Sequence, residues 1–222
     1  MDRKIHAVFV AGGSGSRVGT EVPKQFLPLC GLPVLVRTVF RFVEAWPDAR
    51  IVTVLPAHHF DTWKELCIKH ELNVPQTLVA GGLTRFHSVR NALEKVPDGA
   101  VVSIHDGVRP LVGVDLLKTM AERIQTVPAL IPVLPVVDTL RSTDPAVPAP
   151  DRSKVVAVQT PQMFWSELLK EAYGQAYDLS FTDDASVAEK NGIPLSFIQG
   201  ERQNIKITTP GDMALAEALL SL

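Results

Sequence analysis

The 222-residue sequence has little cysteine, no long apolar run and no excess of basic residues. Its two cysteines, Cys30 and Cys67, stand far apart and without a nearby metal-ligand pattern, which argues against a disulfide framework and a zinc site. No apolar run approaches the ~20 residues that span a bilayer, and the first one meets glycine too early for a signal peptide. Lysine and arginine number 22 against 24 acidic residues, which argues against general binding to nucleic acid or a membrane surface. We expect a soluble, cytoplasmic protein in which any anion site is local.

Apolar, β-branched runs alternate with helical patterns along the chain. The runs predict strands at 5–11, 51–55, 77–79, 100–104, 129–133 and 195–198. A first helix is expected from near Pro33 to Pro47, and further helices at 58–70, 85–96, 114–126, 166–177 and 210–220. Alternation with short connections predicts a single α/β domain, residues 1–222, with a mainly parallel sheet covered by helices.

Residues 132–161 interrupt this alternation. Prolines crowd the segment, at Pro132, Pro135, Pro145, Pro148, Pro150 and Pro161, and its middle is polar, so it cannot form a helix. An excursion of this length is uncommon inside a compact domain and is usually functional. Two interpretations stay open, an arm that packs on a second subunit and a disordered surface loop.

A glycine-rich turn follows the first strand, with the sequence Ala-Gly-Gly-Ser-Gly-Ser-Arg over 11–17 and Pro-Lys-Gln over 23–25. No Lys-Ser or Lys-Thr follows the glycines, as a P-loop requires, and Val18 stands where a dinucleotide fingerprint has its last glycine. What remains is backbone N–H groups that can surround phosphate, with Arg17 and Lys24 as fixed positive charges. The alternative is a surface turn with two solvated cations.

His105, Asp106 and Arg109 follow the 100–104 strand, and carboxyl ends of parallel strands are where α/β sheets bind ligands. Asp106 is a candidate ligand of Mg²⁺ or of a substrate hydroxyl, because Mg²⁺ prefers oxygen donors and often uses one carboxylate plus substrate phosphates. A turn-stabilising pair between Asp106 and Arg109 is the alternative. We interpret His105 as structural.

A second glycine turn, Gly81-Gly82, enters a helix with Thr84 as a plausible N-cap. Arg85 and Ser88 share a helix face, and Ser88 is a candidate to hydrogen-bond the edge of a planar base lying against the glycines. An ordinary strand-to-helix turn is the alternative.

Residues 204–208, Asn-Ile-Lys-Ile-Thr, alternate as a strand does and place Lys206 on the face opposite the isoleucines, where it is either functional or merely solvated. Residues 209–212, Thr-Pro-Gly-Asp, predict the start of the last helix. Residues 182–186, Thr-Asp-Asp-Ala-Ser, look like another capped start, whose acids complement the helix dipole.

Together these motifs resemble the 2-C-methyl-D-erythritol 4-phosphate cytidylyltransferases of the non-mevalonate isoprenoid pathway, over nearly the whole chain. The matching series is A-G-G-x-G-x-R, P-K-Q, G-G…R-x-x-S-V, H-D-x-x-R-P, D-T, D-R, Q-T-P-Q, T-D-x-A-S and N-I-K-I-T, in that order. The resemblance implies a three-layer, Rossmann-like nucleotidyltransferase fold and a homodimer interlocked by a protruding arm at about 136–158. It also implies CTP and a polyol phosphate as substrates and Mg²⁺ or another divalent cation as cofactor.

The resemblance further implies a role for each matching residue. Arg17 and Lys24 would hold the phosphates of CTP and the leaving pyrophosphate, and Gly82 and Ser88 would bind the cytosine. The backbone of Ala11, Gly12, Gly13, Ser14 and Gly15 would surround the phosphates. Asp106 would lie near the ribose, the Mg²⁺ or the incoming substrate. The residues around the methylerythritol phosphate would be Arg109, Thr139, Arg152, Thr160 and Lys206, with Thr139 and Arg152 from the partner's arm; catalysis would fall to Arg17, Lys24, Arg152 and Lys206.

Two positions depart from the family pattern. Leu83 stands where relatives often carry a polar or acidic residue, so we expect a backbone contact there rather than a side-chain one, and Gln203 stands where some relatives carry an acid. A ribitol-5-phosphate cytidylyltransferase shares the fold and the loop and is the nearest rival. A catalytically silent nucleotide-binding protein would lack a cation of the site, whereas Arg17, Lys24, Arg152 and Lys206 are all present.

Overall fold

The structure is a computed structural model that describes residues 2–13 and 22–221. The strands are β1 (Ile5–Val10), β2 (Pro28–Leu29), β3 (Leu32–Pro33), β4 (Arg50–Leu55), β5 (Gln76–Ala80), β6 (Val101–Asp106), β7 (Ala129–Pro135), β8 (Val156–Val158), β9 (Gln162–Trp165) and β10 (Ser196–Gln199). The α-helices are α1 (Val34–Ala45), α2 (Phe60–Lys69), α3 (Arg85–Leu93), α4 (Val114–Arg123), α5 (Ser166–Ala172), α6 (Asp184–Lys190) and α7 (Pro210–Leu220). The six predicted strands and six predicted helices are all present, with ends shifted by a few residues.

Eight strands form one sheet in the order β10-β7-β9-β6-β1-β4-β5, with β8 paired to β7. Pairing is parallel except for β8 and β9, which run antiparallel to their neighbours. Because β1 lies between β4 and β6, the chain crosses over in both directions from its first strand. In such a sheet the crevice outside the carboxyl end of the central strand is the place for a ligand.

Helices cover both faces of the sheet, as the three-layer fold class predicts. Successive side chains of β1 point to opposite faces. Ala7 and Phe9 join the cluster that contains Phe42 of α1 and Leu117 of α4. Val8 joins the other cluster, which contains residues of α3, α5 and α6.

The helix starts agree with the capping signals. Thr84 caps α3 and accepts from His87 N–H, and Thr209 and Asp212 form a capping box at α7. Asp183 and Ser186 form the capping box of α6. The sequence marked each of these starts because a cap needs only a few neighbouring side chains.

The expectation of a strand at 204–208 is wrong. The segment is irregular, although Ile207 is buried and Lys206 is exposed, as the alternation predicts. Its anchors are a hydrogen bond from Ile207 N–H to the Val108 carbonyl (2.9 Å) and one from the Asn204 amide to the Thr160 carbonyl (2.8 Å). These separate anchors keep the extended alternation without a strand ladder.

The arm at 136–158 contains no α-helix, as its prolines predict; its regular parts are a 3-10 turn at Arg152–Lys154 and β8. Exposed valines lie along it, at Val137, Val147, Val156 and Val158. The Arg152 guanidinium donates to the Val137 carbonyl (2.8 Å) and ties the two limbs together. Over the described ranges, no helix is both long and apolar enough to cross a membrane.

Candidate active site

A cavity of about 690 Å³ opens at the carboxyl edge of the sheet, beside the ends of β1 and β6. Among the residues that line it are predicted site residues from five separate segments of the chain: Ala11, Gly12, Gly13, Lys24, Gly82, Ser88, Asp106 and Lys206. Ser14, Gly15 and Arg17 lie outside the described residues. The fold therefore brings the two glycine turns, the acid and a lysine to one place.

The first glycine turn presents open backbone to this cavity. Among the described residues, a Cβ on Gly12 or Gly13 would meet nothing within 4 Å. The buried Gln25 side chain donates to the Ala11 carbonyl (2.8 Å), and Gln25 follows Lys24 in the same 3-10 turn. Gln25 thereby fixes the segment that carries Lys24 against the glycine turn, a role that the sequence did not reveal.

The second glycine turn is closed by Ser88. Its hydroxyl accepts from Gly82 N–H (3.0 Å) and donates to the Thr84 carbonyl (2.9 Å). A Cβ on Gly82 would lie 2.5 Å from that of His87, so this position requires glycine. Because the hydroxyl proton is already donated, Ser88 has only acceptor capacity left for a ligand.

Asp106, at the end of β6, is surrounded by cations. Its Oδ2 lies 3.0 Å from Lys206 Nζ and 3.3 Å from Arg109 Nε, and its Oδ1 lies 4.0 Å from Arg85 Nε. Burial alone would raise the pKa of Asp106, but the charges of Arg85, Lys206 and Arg109 lower that pKa below its ordinary value. The pair with Arg109 exists as the alternative interpretation expected, and the same carboxylate also orients Lys206.

His105 and Thr160 brace Asp106 from inside the fold. His105 Nε2 lies 3.1 Å from the Arg109 carbonyl, so Nε2 carries the proton, and Nδ1 accepts from the Thr160 hydroxyl (3.0 Å). That hydroxyl also accepts from Asp106 N–H (3.1 Å). Burial lowers the pKa of His105 to about 3, so the ring is neutral at neutral pH. These contacts agree with the structural interpretation of His105.

Arg85, which is partly exposed, and the buried Asp184 form an ion pair beside Asp106 that the sequence did not reveal. Arg85 donates to both Asp184 oxygens (2.9 and 2.6 Å), and the Tyr173 hydroxyl donates to Asp184 Oδ1 (2.6 Å). Burial alone would lower the pKa of Arg85, whereas Asp184 raises that pKa above its ordinary value. Asp184 is 0% exposed, so the expectation that it only complements a helix dipole is wrong. The acid doublet at 183–184 was the available signal, because only one of two such acids can be the cap.

Four predicted substrate-binding residues do not line this cavity within the described part of the chain. Arg109 connects Asp106 to the Asn204 carbonyl (2.8 Å), and Thr160 is buried behind Asp106. Thr139 and Arg152 lie exposed on the arm. The structure of one chain therefore does not bring those arm residues to the cavity wall.

A Rossmann-like sheet with a glycine turn, a lysine and a cation-ringed aspartate at its carboxyl edge defines the class of α/β nucleotidyltransferases. A profile of the family "IspD: 2-C-methyl-D-erythritol 4-phosphate cytidylyltransferase" matches residues 5–222. The enzyme of that name from Porphyromonas gingivalis strain W83 is 50% identical over 224 residues, covering 100% of both chains. The one from Bacteroides thetaiotaomicron is 46% identical, covering 98% of this chain and 100% of the relative.

The fold agrees with these sequence matches. The crystal structure of 4-diphosphocytidyl-2C-methyl-D-erythritol synthase from Anaerococcus prevotii superimposes with a TM-score of 0.84 at 26% identity. The match covers 99% of this chain and 97% of the other. The chain belongs to the 2-C-methyl-D-erythritol 4-phosphate cytidylyltransferase family and is a nucleotidyltransferase. The resemblance that the motifs indicated is confirmed.

Proposed function

We propose that this protein transfers the cytidylyl group of CTP to 2-C-methyl-D-erythritol 4-phosphate in the carboxyl-edge cavity, releasing pyrophosphate, as a step in isoprenoid precursor synthesis. The observation that carries the proposal is the contact of Asp106 with Lys206, which holds this lysine on the wall of the cavity. The first glycine turn and Lys24 line the same cavity. Fixed cations facing open backbone N–H groups suit a site that must hold two anionic substrates together.

The triphosphate of CTP lies on the first glycine turn in this proposal. Backbone N–H groups from Gly12 to Gly15 surround it, since the Ala11 N–H already donates to the Val54 carbonyl (3.0 Å). Lys24 and Arg17 supply charge for the phosphates and for the departing pyrophosphate. The support is that no described residue crowds Gly12 or Gly13 and that Gln25 anchors the Lys24 segment. Anchoring matters because catalysis of this kind depends on charges that are fixed before the reaction.

The cytosine lies on the second glycine turn. The Ser88 hydroxyl donates its hydrogen bond to the Thr84 carbonyl, so its oxygen is left to accept a hydrogen bond from the 4-amino group of cytosine. Uracil carries an oxygen at that position and would face the Ser88 oxygen as a second acceptor. Together with the backbone at Gly82, this arrangement favours CTP over UTP.

The acceptor phosphate lies near Lys206, with Arg152 and Thr139 supplied by the arm of a second subunit. The support is the position of Lys206 on the cavity wall and the exposure of the arm residues on their own chain. Arg109 and Thr160 contribute indirectly to binding of the acceptor. They contact Asp106 and hold it in place, and Asp106 in turn orients Lys206. The exposed valines of the arm give a homodimer an apolar surface to bury.

The reaction needs no general base. A phosphate monoester has a second pKa of about 6 and is mostly a dianion at neutral pH. One of its oxygens attacks the α-phosphorus of CTP in line, the α-phosphorus bond to the bridging oxygen breaks, and pyrophosphate leaves with that electron pair. Lys24, Arg17, Arg152 and Lys206 neutralise the charge that develops.

Asp106 fits a divalent cation that is carried mainly by the triphosphate. It is the one carboxylate among the described residues that line the cavity, and no group of three metal-ligating acids, histidines or cysteines occurs in the described ranges. Mg²⁺ commonly uses one or two carboxylates together with substrate phosphates. The Lys206 and Arg109 contacts fall on Oδ2, which leaves Oδ1 for the ion. Bound Mg²⁺ would add charge stabilisation at the phosphates.

We place the enzyme in the cytoplasm, where Cys30 and Cys67, both free thiols, remain reduced.

Purified protein incubated with CTP, Mg²⁺ and each candidate acceptor should release pyrophosphate with 2-C-methyl-D-erythritol 4-phosphate. Release with ribitol 5-phosphate alone would overturn the choice of acceptor. Release with UTP at the rate seen with CTP would overturn the role given to Ser88.

A further inference from the structure

Arg85 lies between two carboxylates but pairs closely with only one of them. Its two terminal nitrogens donate to Asp184, at 2.9 and 2.6 Å. Its Nε faces Asp106 Oδ1 at 4.0 Å, which is too long for a hydrogen bond. Arg85 and Asp106 both line the cavity, so each residue contributes to its wall.

The unequal distances leave a matched donor and acceptor. Arg85 has five N–H groups, and the pair with Asp184 uses two of them, which leaves Nε–H toward Asp106. Asp106 receives Lys206 and Arg109 on Oδ2, at 3.0 and 3.3 Å, so its other oxygen keeps acceptor capacity. An N–H donor and a carboxylate acceptor side by side are complementary to a hydroxyl group, which accepts and donates at once.

The spacing also suits a hydroxyl. An oxygen about 2.8 Å from each end of this gap would see the two atoms at an angle of roughly 90°, within the range that a hydroxyl hydrogen bond tolerates. A carboxylate offers about four lone-pair sites, so Oδ1 can accept from this hydroxyl and still coordinate a cation. A phosphate oxygen, in contrast, has no proton to donate to Asp106 Oδ1.

We propose that Arg85 and Asp106 together bind one substrate hydroxyl, and that Asp184 is the positioning residue that holds Arg85 in place for it. The inference rests on the proposed function only in taking this cavity as the substrate site. CTP and the acceptor both carry hydroxyls, and the chemistry of the pair fits either the ribose or the polyol.

Asp184 is required because Arg85 would otherwise move. Asp184 is 0% exposed and also receives the Tyr173 hydroxyl, so its own position is fixed by the fold. With the Asp184 charge removed, the Arg85 guanidinium would have Asp106 as its remaining carboxylate partner. Closing the 4.0 Å gap would replace the hydroxyl site with a direct ion pair.

The test compares Asp184→Asn with Tyr173→Phe, since each removes a hydrogen bond at the same buried carboxylate but only the first removes its charge. We expect kcat/KM to fall by about 10- to 100-fold in Asp184→Asn, the size typical for hydrogen bonds to charged groups, and by less than about threefold in Tyr173→Phe. Equal losses in the two variants would overturn the proposal, because they would indicate a structural role alone.

Substrate analogues identify the hydroxyl. Wild type and Asp184→Asn are compared with 2′-deoxy-CTP, with 3′-deoxy-CTP and with acceptor phosphates that each lack one hydroxyl. With the one analogue that lacks the bound hydroxyl, wild type and Asp184→Asn should have the same kcat/KM, because the interaction that the variant weakens is already missing. The identity of that analogue assigns the hydroxyl to the ribose or to the polyol. An undiminished effect of the variant with every analogue would overturn the proposal, as would a change confined to the Mg²⁺ requirement.

Arg85→Lys keeps the test decisive if Asp184→Asn does not fold. Lysine retains the charge but lacks the planar guanidinium and its Nε–H. We therefore expect Arg85→Lys to lower kcat/KM for the natural substrates but not for the same analogue. Failure of the proposed function looks different: wild type would then turn over no CTP, or Lys24→Ala would leave its activity intact. An active wild type that needs Lys24 but shows no hydroxyl-specific effect would overturn only the present inference.

Discussion

Two cavities of similar size open at opposite edges of the sheet. The one at the carboxyl edge has a volume of about 690 Å³ and the one at the amino edge about 750 Å³. Arg3, Lys4 and Arg50 line the amino-edge cavity together with Asp2 and Asp48, so it too has an excess of positive charge. Neither volume nor positive charge separates the two.

The difference lies in how the charges are held. At the amino edge Arg3 lies 2.7 Å from Glu167 and 4.4 Å above the Trp165 ring, contacts that fasten the first residues of the chain to α5 and β9. At the carboxyl edge Lys206 and Arg85 share Asp106 while both remain on the cavity wall. That wall also has glycine turns, and the described lining of the amino-edge cavity has no glycine. Cations held beside open backbone at strand carboxyl ends, rather than cavity size, mark the site.

Lys24→Ala should give the largest effect, a fall in kcat of about 100- to 1000-fold, because one preorganised charge near the reacting phosphates is lost. Pyrophosphate release with CTP and acceptor measures turnover, and circular dichroism checks folding. Lys4→Ala is the matched control, since Lys4 is an exposed lysine that lines the amino-edge cavity. Equal turnover in the two variants would remove the functional distinction between the cavities.

The second prediction concerns the completion of the carboxyl-edge site by a partner's arm. Lys24→Ala and Arg152→Ala should each be nearly inactive alone, yet mixing them under subunit exchange should restore activity. With random pairing, half of the dimers are mixed and each has one site with both residues intact, so about a quarter of wild-type activity is expected. Activity is measured as pyrophosphate release after mixing.

Absence of any recovery in dimers shown to exchange would place both residues in the site of a single chain. An active monomer at micromolar concentration in sedimentation would contradict shared sites directly. The amino-edge cavity has no lining residue from the arm, so a Lys4→Ala subunit should behave as wild type in the same mixtures.

Sequence patterns predicted what depends on local or periodic features. The long strands and helices follow from apolar periodicity, and the starts at Thr84 and Thr209 follow from caps that involve a few neighbouring residues. The antiparallel strand β9 was missed. Its four residues follow a proline and begin with a polar glutamine, and its pairing with β6 and β7 is set by contacts distant in sequence.

The site residues also divide into those that local sequence patterns indicate and those that depend on contacts distant in sequence. Lys24, Asp106, Ser88 and Lys206 were identifiable as residues of this cavity because each stands in a short sequence motif. The pairing of Arg85 with Asp184 was not, because 99 residues separate the partners and only tertiary packing brings them together. Thr160 shows a further limit: the Q-T-P-Q motif marks the residue, but it does not indicate that the Thr160 hydroxyl is buried and contacts Asp106 and His105.

Ser88→Ala should have an intermediate effect on kcat/KM and tests whether the carboxyl-edge cavity recognises the base. Removing the hydroxyl deprives cytosine of an acceptor and frees Gly82 N–H, so we expect kcat/KM for CTP to fall about tenfold and the preference over UTP to shrink. Ser103→Ala is the control, because the Ser103 hydroxyl is buried in β6 with no hydrogen-bond partner among the described residues. An unchanged ratio of CTP to UTP turnover in Ser88→Ala would contradict base recognition by Ser88.

The smallest effect on turnover is expected at the amino edge, where Arg3→Ala should change stability instead. The hydrogen bond from Arg3 lowers the pKa of Glu167 to about 2, from an unfolded value near 4.5. A lowered pKa in the folded state stabilises it above the unfolded pKa, and this contribution is lost as the pH falls from 4.5 towards 2. Urea midpoints should therefore differ most between wild type and Arg3→Ala at pH 6 and converge towards pH 3. A difference that stays constant over that range would show that the Arg3 contact with the Trp165 ring, rather than its ion pair, holds this edge together.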